Sequence, residues 1–246
     1  MNKLGIVGGL VAASLALGAL IVVGHDRVKP GSAPAQHTSA QDSPPWQIEV
    51  LPNGRSRVMG LTLAAAGSSS GSTLADAQQR WGQDMQVAII AAPGEDGLLE
   101  AFADPASAGF ITGKVVITLR LDTATLKGMR ERAIKSEFME STTRKYTLSP
   151  ADLQTALHAP IASLSFIPQA NLDADTVLAR FGQPAQRLRS NGHIEHFLYP
   201  AKGLDLALDS EGKELLQYVA PADFEQLRQP LLKQATFTVS QPQTAR

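Results

Sequence analysis

The sequence predicts an α+β protein: an N-terminal transmembrane helix, a flexible linker, then two tandem modules, each with helices packed on a small antiparallel sheet. Three observations predict it. An apolar run lies near the start, a Pro/Ser/Ala/Gln-rich stretch follows it, and a strand–helix–strands–helix pattern then occurs twice. The 246 residues leave room for one large domain or two small ones. With 43% hydrophobic but only 5% aromatic residues, the core is to be built mainly from Leu, Ala, Val and Ile.

Residues 5–23 contain Ser14 as their only polar side chain. At a rise of about 1.5 Å per residue they span about 29 Å as a helix, the thickness of a bilayer's hydrocarbon core. Secretory signals carry a shorter apolar region of about 7–15 residues. An uncleaved signal-anchor helix over 5–23 is therefore expected, inside an anchor segment 1–29, with the lipid bilayer as its partner. Cleavage after Gly24 is the alternative reading. Residues 30–45 hold almost no large apolar side chain and read as a disordered linker. Anchor, linker and folded body together are the plan of a single-pass bacterial inner-membrane protein with its C-terminal part in the periplasm. Lys3 on one flank and Arg27 with Lys29 on the other do not decide that orientation by charge.

The net charge of -1, without a basic run, excludes nucleic acid as an expected partner. The absence of cysteine excludes disulfides, thiolate catalysis, cysteine-ligated metal and a cysteine-linked lipid.

The first module is expected over 46–134. Residues 46–51, the turn Pro52-Asn53-Gly54 and residues 55–63 read as strand, turn, strand, because Asn-Gly tolerates positive φ at both turn positions. Ser72 is placed to cap a helix over 73–81 that Gly82 stops, and a second helix begins at Asp122. Residues 135–159 form a connector, with Ser149-Pro150 opening a helix that reaches His158. The second module is expected over 160–233, with a helix over 171–181 ended by Gly182, alternating strands at 204–208 and 215–219, and a final helix from Pro221. Residues 234–246 are a tail.

The duplication is carried by matches in common order. Arg80-Trp81-Gly82-Gln83 matches Arg180-Phe181-Gly182-Gln183, and Gly113-Lys114 matches Gly212-Lys213. The pattern GxxExFxxP joins Gly97, Glu100, Phe102 and Pro105 to Gly192, Glu195, Phe197 and Pro200, and places Glu100 and Glu195 at equivalent positions. Residues 177–184, Val-Leu-Ala-Arg-Phe-Gly-Gln-Pro, and less closely 77–84, where Asp84 replaces the proline, resemble the helix-ending motif of the SmpA/OmlA (BamE-like) family and of the related beta-lactamase-inhibitor-protein-like fold. The resemblance covers most of 55–233 and implies a helix running into a three- or four-stranded antiparallel meander in each module. It departs in one respect: such proteins are typically lipoproteins, and this chain lacks the lipid-bearing cysteine.

Candidate chemistry is sparse. Gly67-Ser68-Ser69-Ser70-Gly71 fits G-x-S-x-G with Ser69 as nucleophile, but the antiparallel meanders that follow are not the parallel sheet that such an elbow needs. His193, Glu195 and His196 offer metal-ligand types. On a strand His193 and Glu195 share a face while His196 points away, and the first module has Leu98 and Ala101 in the histidine positions. Residues 109–114 are one residue short of a phosphate loop, and Val115 stands where Ser or Thr is required. Residues 130–145 mix both signs and read as a solvated face or a partner-docking surface. No catalytic, cofactor or metal residue is assigned. The expected function is a non-catalytic, membrane-tethered protein that binds a protein or ligand of the cell envelope; the alternative is a membrane-anchored serine hydrolase using Ser69.

Overall fold

Among the described residues, period-two alternation organises the chain more than helical spacing does, giving thirteen strands and five α-helices. The computed structural model describes residues 43–139, 142–190 and 192–234. The anchor 1–29, the linker as far as residue 42 and the tail from residue 235 lie outside the described residues. Within them, no helix is long and apolar enough to cross a membrane. Pro44 and Pro45, assigned to the linker from sequence, are buried, and Pro45 accepts a hydrogen bond from the hydroxyl of Tyr218 at 3.0 Å.

The first three strands, β1 (Ile48–Leu51), β2 (Arg55–Val58) and β3 (Leu61–Leu63), form a separate antiparallel sheet. Residues 55–63 are a hairpin and not the expected single strand, because Met59 (φ 49) and Gly60 (φ 79) turn the chain with positive φ at both positions.

The other ten strands form one sheet. In chain order they are β4 (Gln86–Ala91), β5 (Leu98–Ala108), β6 (Ile111–Leu119), β7 (Lys135–Phe138), β8 (Arg144–Thr147), β9 (Ile161–Pro168), β10 (Gln186–Arg189), β11 (Ile194–Tyr199), β12 (Leu204–Asp209) and β13 (Leu215–Val219). Their spatial order is β10-β11-β12-β13-β9-β6-β5-β4-β8-β7, with every pairing antiparallel. This corrects the expectation of two modules with a small sheet each: the molecule is dominated by one large antiparallel sheet with few helices. The reason is β9. It is buried almost throughout and pairs with β6 along one edge and β13 along the other, so both meanders close on one strand. The three-residue strand β3 stays in the small sheet. The stretch read as a connector contributes β7 and β8, which extend the sheet beyond β4.

Among the described residues five α-helices cover the two faces: α1 (Leu74–Trp81), α2 (Thr123–Glu131), α3 (Pro150–Ala156), α4 (Ala174–Phe181) and α5 (Phe224–Gln234). Thr73 caps α1 in a reciprocal pair with Asp76, one residue later than expected, while the Ser72 hydroxyl accepts from the Thr62 N–H. Asp122, Ser149 and Asp173 cap the next three helices. The first face joins both halves. Leu74 and Ala77 of α1, Met129 of α2, Ala156 of α3, and Val177 and Phe181 of α4 pack in one cluster with Val115, Phe166, Leu206, Leu216 and Phe197. On the second face, α5 lays Phe224, Leu227 and Leu231 on Leu188, Leu198 and Val219.

The paired motif GxxExFxxP does not mark equivalent sites. Register runs Ala103–Val115–Phe166–Leu216–Leu206–Phe197 across the first face, so Glu195 and Phe197 belong there, while Glu100 and Phe102 alternate onto the second. Beyond the motif, β5 continues past Pro105 with a register shift between Ala103 and Ala106. The chain at Pro200 instead turns back through Gly203 (φ 69), where a Cβ would stand 2.1 Å from the carbonyl oxygen of Val219.

Candidate functional site

Two regions of the sheet hold side chains that packing alone does not explain. The first is its β7 end. The β7–β8 hairpin comes from the mixed-charge stretch 130–145, and β7 pairs only with β8, so the outward half of its backbone groups has no strand partner among the described residues. Lys135 and Glu137 pair at 2.6 Å on one side of β7. Apolar side chains flank them: Ile134 is 67% and Phe138 65% exposed. Beside Phe138 a hollow of about 510 Å³ is lined by Pro93, Glu95, Arg130, Arg144 and Tyr146. The Arg144 guanidinium lies 4.0 Å from the Phe138 ring centroid and donates to the Ser136 hydroxyl at 3.3 Å. No described carboxylate pairs with it. Arg130, 5.9 Å from the Tyr146 ring, spends its donors on the carbonyls of Glu95 and Asp96. The end therefore offers backbone donors and acceptors, two aromatic rings and the Arg144 guanidinium, which no described carboxylate pairs.

The second region is a run of buried polar groups on the second face. Glu100, 2% exposed, sits on β5 between Ala88 of β4 and Thr118 of β6. Neither carboxylate oxygen has a hydrogen-bond partner, and burial pushes its pKa from 4.5 up to about 8. It is a neutral acid at pH 7. Further along, Ser163 and Ser165 of β9 and Gln217 of β13 continue the buried polar run to Asp205 of β12 and His196 of β11. His196 Nδ1 lies 3.0 Å from both Asp205 oxygens, and its Nε2 lies 3.0 Å from the Ser190 hydroxyl. Burial pulls the imidazole pKa down, but the charge of Asp205 and its hydrogen bond outweigh that, so His196 titrates above its ordinary value.

The residues singled out from sequence fall elsewhere or apart. Ser69 is exposed in the loop between β3 and α1, where Ser68 and Ser70 bond each other. The described histidines bond other groups: His158 meets the Gln154 carbonyl, His193 meets Asp209 at 2.7 Å, and His196 meets Asp205. Glu195 accepts from Arg187 at 2.9 Å. Among the described residues no three His, Asp or Glu side chains gather as metal ligands. Residues 109 and 110 make the β5–β6 turn and 111–114 open β6, with Lys114 paired to Asp104 and Phe110 edge-on to Trp46 at 5.5 Å.

Ser190 was invisible in sequence because it reaches His196 only through hairpin geometry. Asp205 and Glu100 did leave a signal: each is a lone acid inside an apolar run, Leu-Asp-Leu-Ala-Leu and Leu-Leu-Glu-Ala-Phe, where an acid is unusual. Compared with known proteins, the chain matches no family model, no curated protein and no solved structure.

Proposed function

We propose that this is a binding protein of the bacterial envelope, tethered to the inner membrane through residues 5–23, with its folded part in the periplasm docking a protein partner at the β7 end. The observation that carries the docking reading is the pairing of an unpartnered sheet edge with two exposed apolar side chains, Ile134 and Phe138. Natural sheets blunt their edges with charge, proline or cover. β7 keeps the charge, in Lys135 and Glu137, and lacks cover among the described residues. The occupant that fits is an extended segment that adds a strand to β7, sets an apolar side chain against Phe138 and Tyr146, and brings an acidic side chain to Arg144. The apolar run, the linker and the SmpA/OmlA-like helix endings support the envelope setting.

The test is site-specific photocrosslinking in native membranes. With benzoylphenylalanine in place of Phe138, the expected result is a discrete adduct whose partner peptide is extended and acidic, with no such adduct from position 189 on β10. Absence of an adduct at 138, or the same adducts from both positions, overturns the reading.

A further inference from the structure

The proposed docking at β7 leaves unexplained the three residues joined at the other end of the sheet. Ser190 follows β10, His196 lies on β11 and Asp205 on β12, so neighbouring strands present them in sequence on the second face. Asp205 is 1% and His196 5% exposed, whereas Ser190 at the rim is only half-buried. The buried Asp205 carboxylate meets the imidazole at 3.0 Å. Because a carboxylate accepts and cannot donate, Nδ1 carries the proton of the neutral ring, and Nε2 is left as an acceptor aimed at the Ser190 hydroxyl. That is the order of parts by which a weak hydroxyl is made nucleophilic: hydroxyl, base, orienting acid.

We infer that Ser190 is an activated nucleophile that takes an acyl group from a neutral carboxylic ester, with His196 as its base and Asp205 as the residue that positions His196. The inference goes beyond the docking reading and is independent of it. A neutral acyl donor fits better than a phosphoryl one. At this end Arg187 faces the first side of the sheet against Glu195 and Phe197, Arg228 of α5 is held by Gln186 and Glu225, and the residues flanking Ser190 on its own face are Leu188 and Ile194. In the step, the bond from Ser190 Oγ to the carbonyl carbon forms as the hydroxyl proton passes to Nε2. The carbon–oxygen bond to the leaving alcohol then breaks, and that alcohol takes the proton from Nε2. Water attacks the acyl-serine, its proton passes to Nε2 and then to Oγ, and the carboxylic acid leaves.

The probes are a fluorophosphonate, read by peptide mass mapping, and p-nitrophenyl acetate, read by release of nitrophenolate, both on the full chain. The expected result is labelling at Ser190, abolished in Ser190→Ala, slowed about 100-fold or more in His196→Gln, and unchanged in Ser69→Ala. No label at Ser190, a label on Ser69, or labelling equally fast in a folded His196→Gln overturns the inference. Should His196→Gln not fold, Ser190→Cys decides. The chain has no other cysteine, and an imidazole at Nε2 distance must make that thiol alkylate about tenfold or more faster at pH 7 than a free cysteine. A rate no faster than free cysteine also overturns it.

Discussion

The two ends of the ten-stranded sheet are finished in opposite ways. At the β10 end, α5 crosses the second face and buries Leu188 beneath Phe224, Leu227 and Leu231, and Arg228 donates to Gln186 at 3.2 Å. Arg187 and Glu195 close the first face there with an ion pair over Phe197. At the β7 end the described helical contact reaches β8, where Arg130 of α2 lies 5.9 Å from the Tyr146 ring, while three of the four β7 residues are exposed and Ile134 and Phe138 face solvent. Helical cover ends a sheet by burying its last apolar side chains. Charge alone ends it while leaving those side chains available. The second solution suits an edge kept free for one partner, since Lys135 and Glu137 resist indiscriminate pairing and the apolar flanks reward a matched strand.

The sharpest way to break this comparison is to remove one aromatic ring at each end. Phe224→Ala should cost about 3–5 kcal/mol, because the ring is buried and its loss opens a cavity under α5. Phe138→Ala should stay within about 0.5 kcal/mol, as surface truncations do. Denaturant unfolding of the two variants checks both. Phe181→Ala, in the cluster that spans both halves, should cost as much as Phe224→Ala and lower a single cooperative transition in which fragments from either half lose protection together.

The next effect lies between the two ends. Glu100→Gln should stabilise the protein at pH 8 by about 1–3 kcal/mol, because a buried acid without partners is the less tolerable group there. The folded protein keeps the Glu100 proton up to about pH 8, whereas the unfolded chain releases it near its ordinary 4.5. Between those values the folded state binds more protons, so wild-type stability should fall as pH rises from 4.5 to 8 and be unaffected by this group below 4.5. Unfolding midpoints measured across that range should lose this slope in Glu100→Gln. An unchanged slope would mean that Glu100 is not held neutral.

At the β7 end itself, Phe138→Asp should leave stability within about 0.5 kcal/mol and abolish the crosslink formed from position 134. The same substitution at Arg189 on β10 should alter neither.

Much of the local architecture was legible in the sequence because it depends on near neighbours. The helix starts at Asp122 and Ser149, the glycine stops after Trp81 and Phe181, and the turns at Asn53-Gly54 and Pro200–Gly203 all follow from a few adjacent residues. The sheet's extent was not legible. Whether β9 completes one meander or two depends on which free edges reach it, and alternation in Ile161–Pro168 says only that it is buried. The same limit hid the face reversal between Glu100 and Glu195, where a one-residue difference in register moves a shared motif to the opposite side. Ser190 and His196, six residues apart across a hairpin, illustrate it again: the chemistry of each is visible in the chain, and their meeting is a property of the fold.

The measurement that most directly tests the contrast between the two ends is amide hydrogen exchange of the same protein in native membranes and after purification. The account predicts that amides over 134–138 are protected in membranes and exchange rapidly once the partner is removed, while those over 186–189 behave alike in both. Equal, fast exchange over 134–138 in both preparations, or protection gained at 186–189 instead, would contradict it.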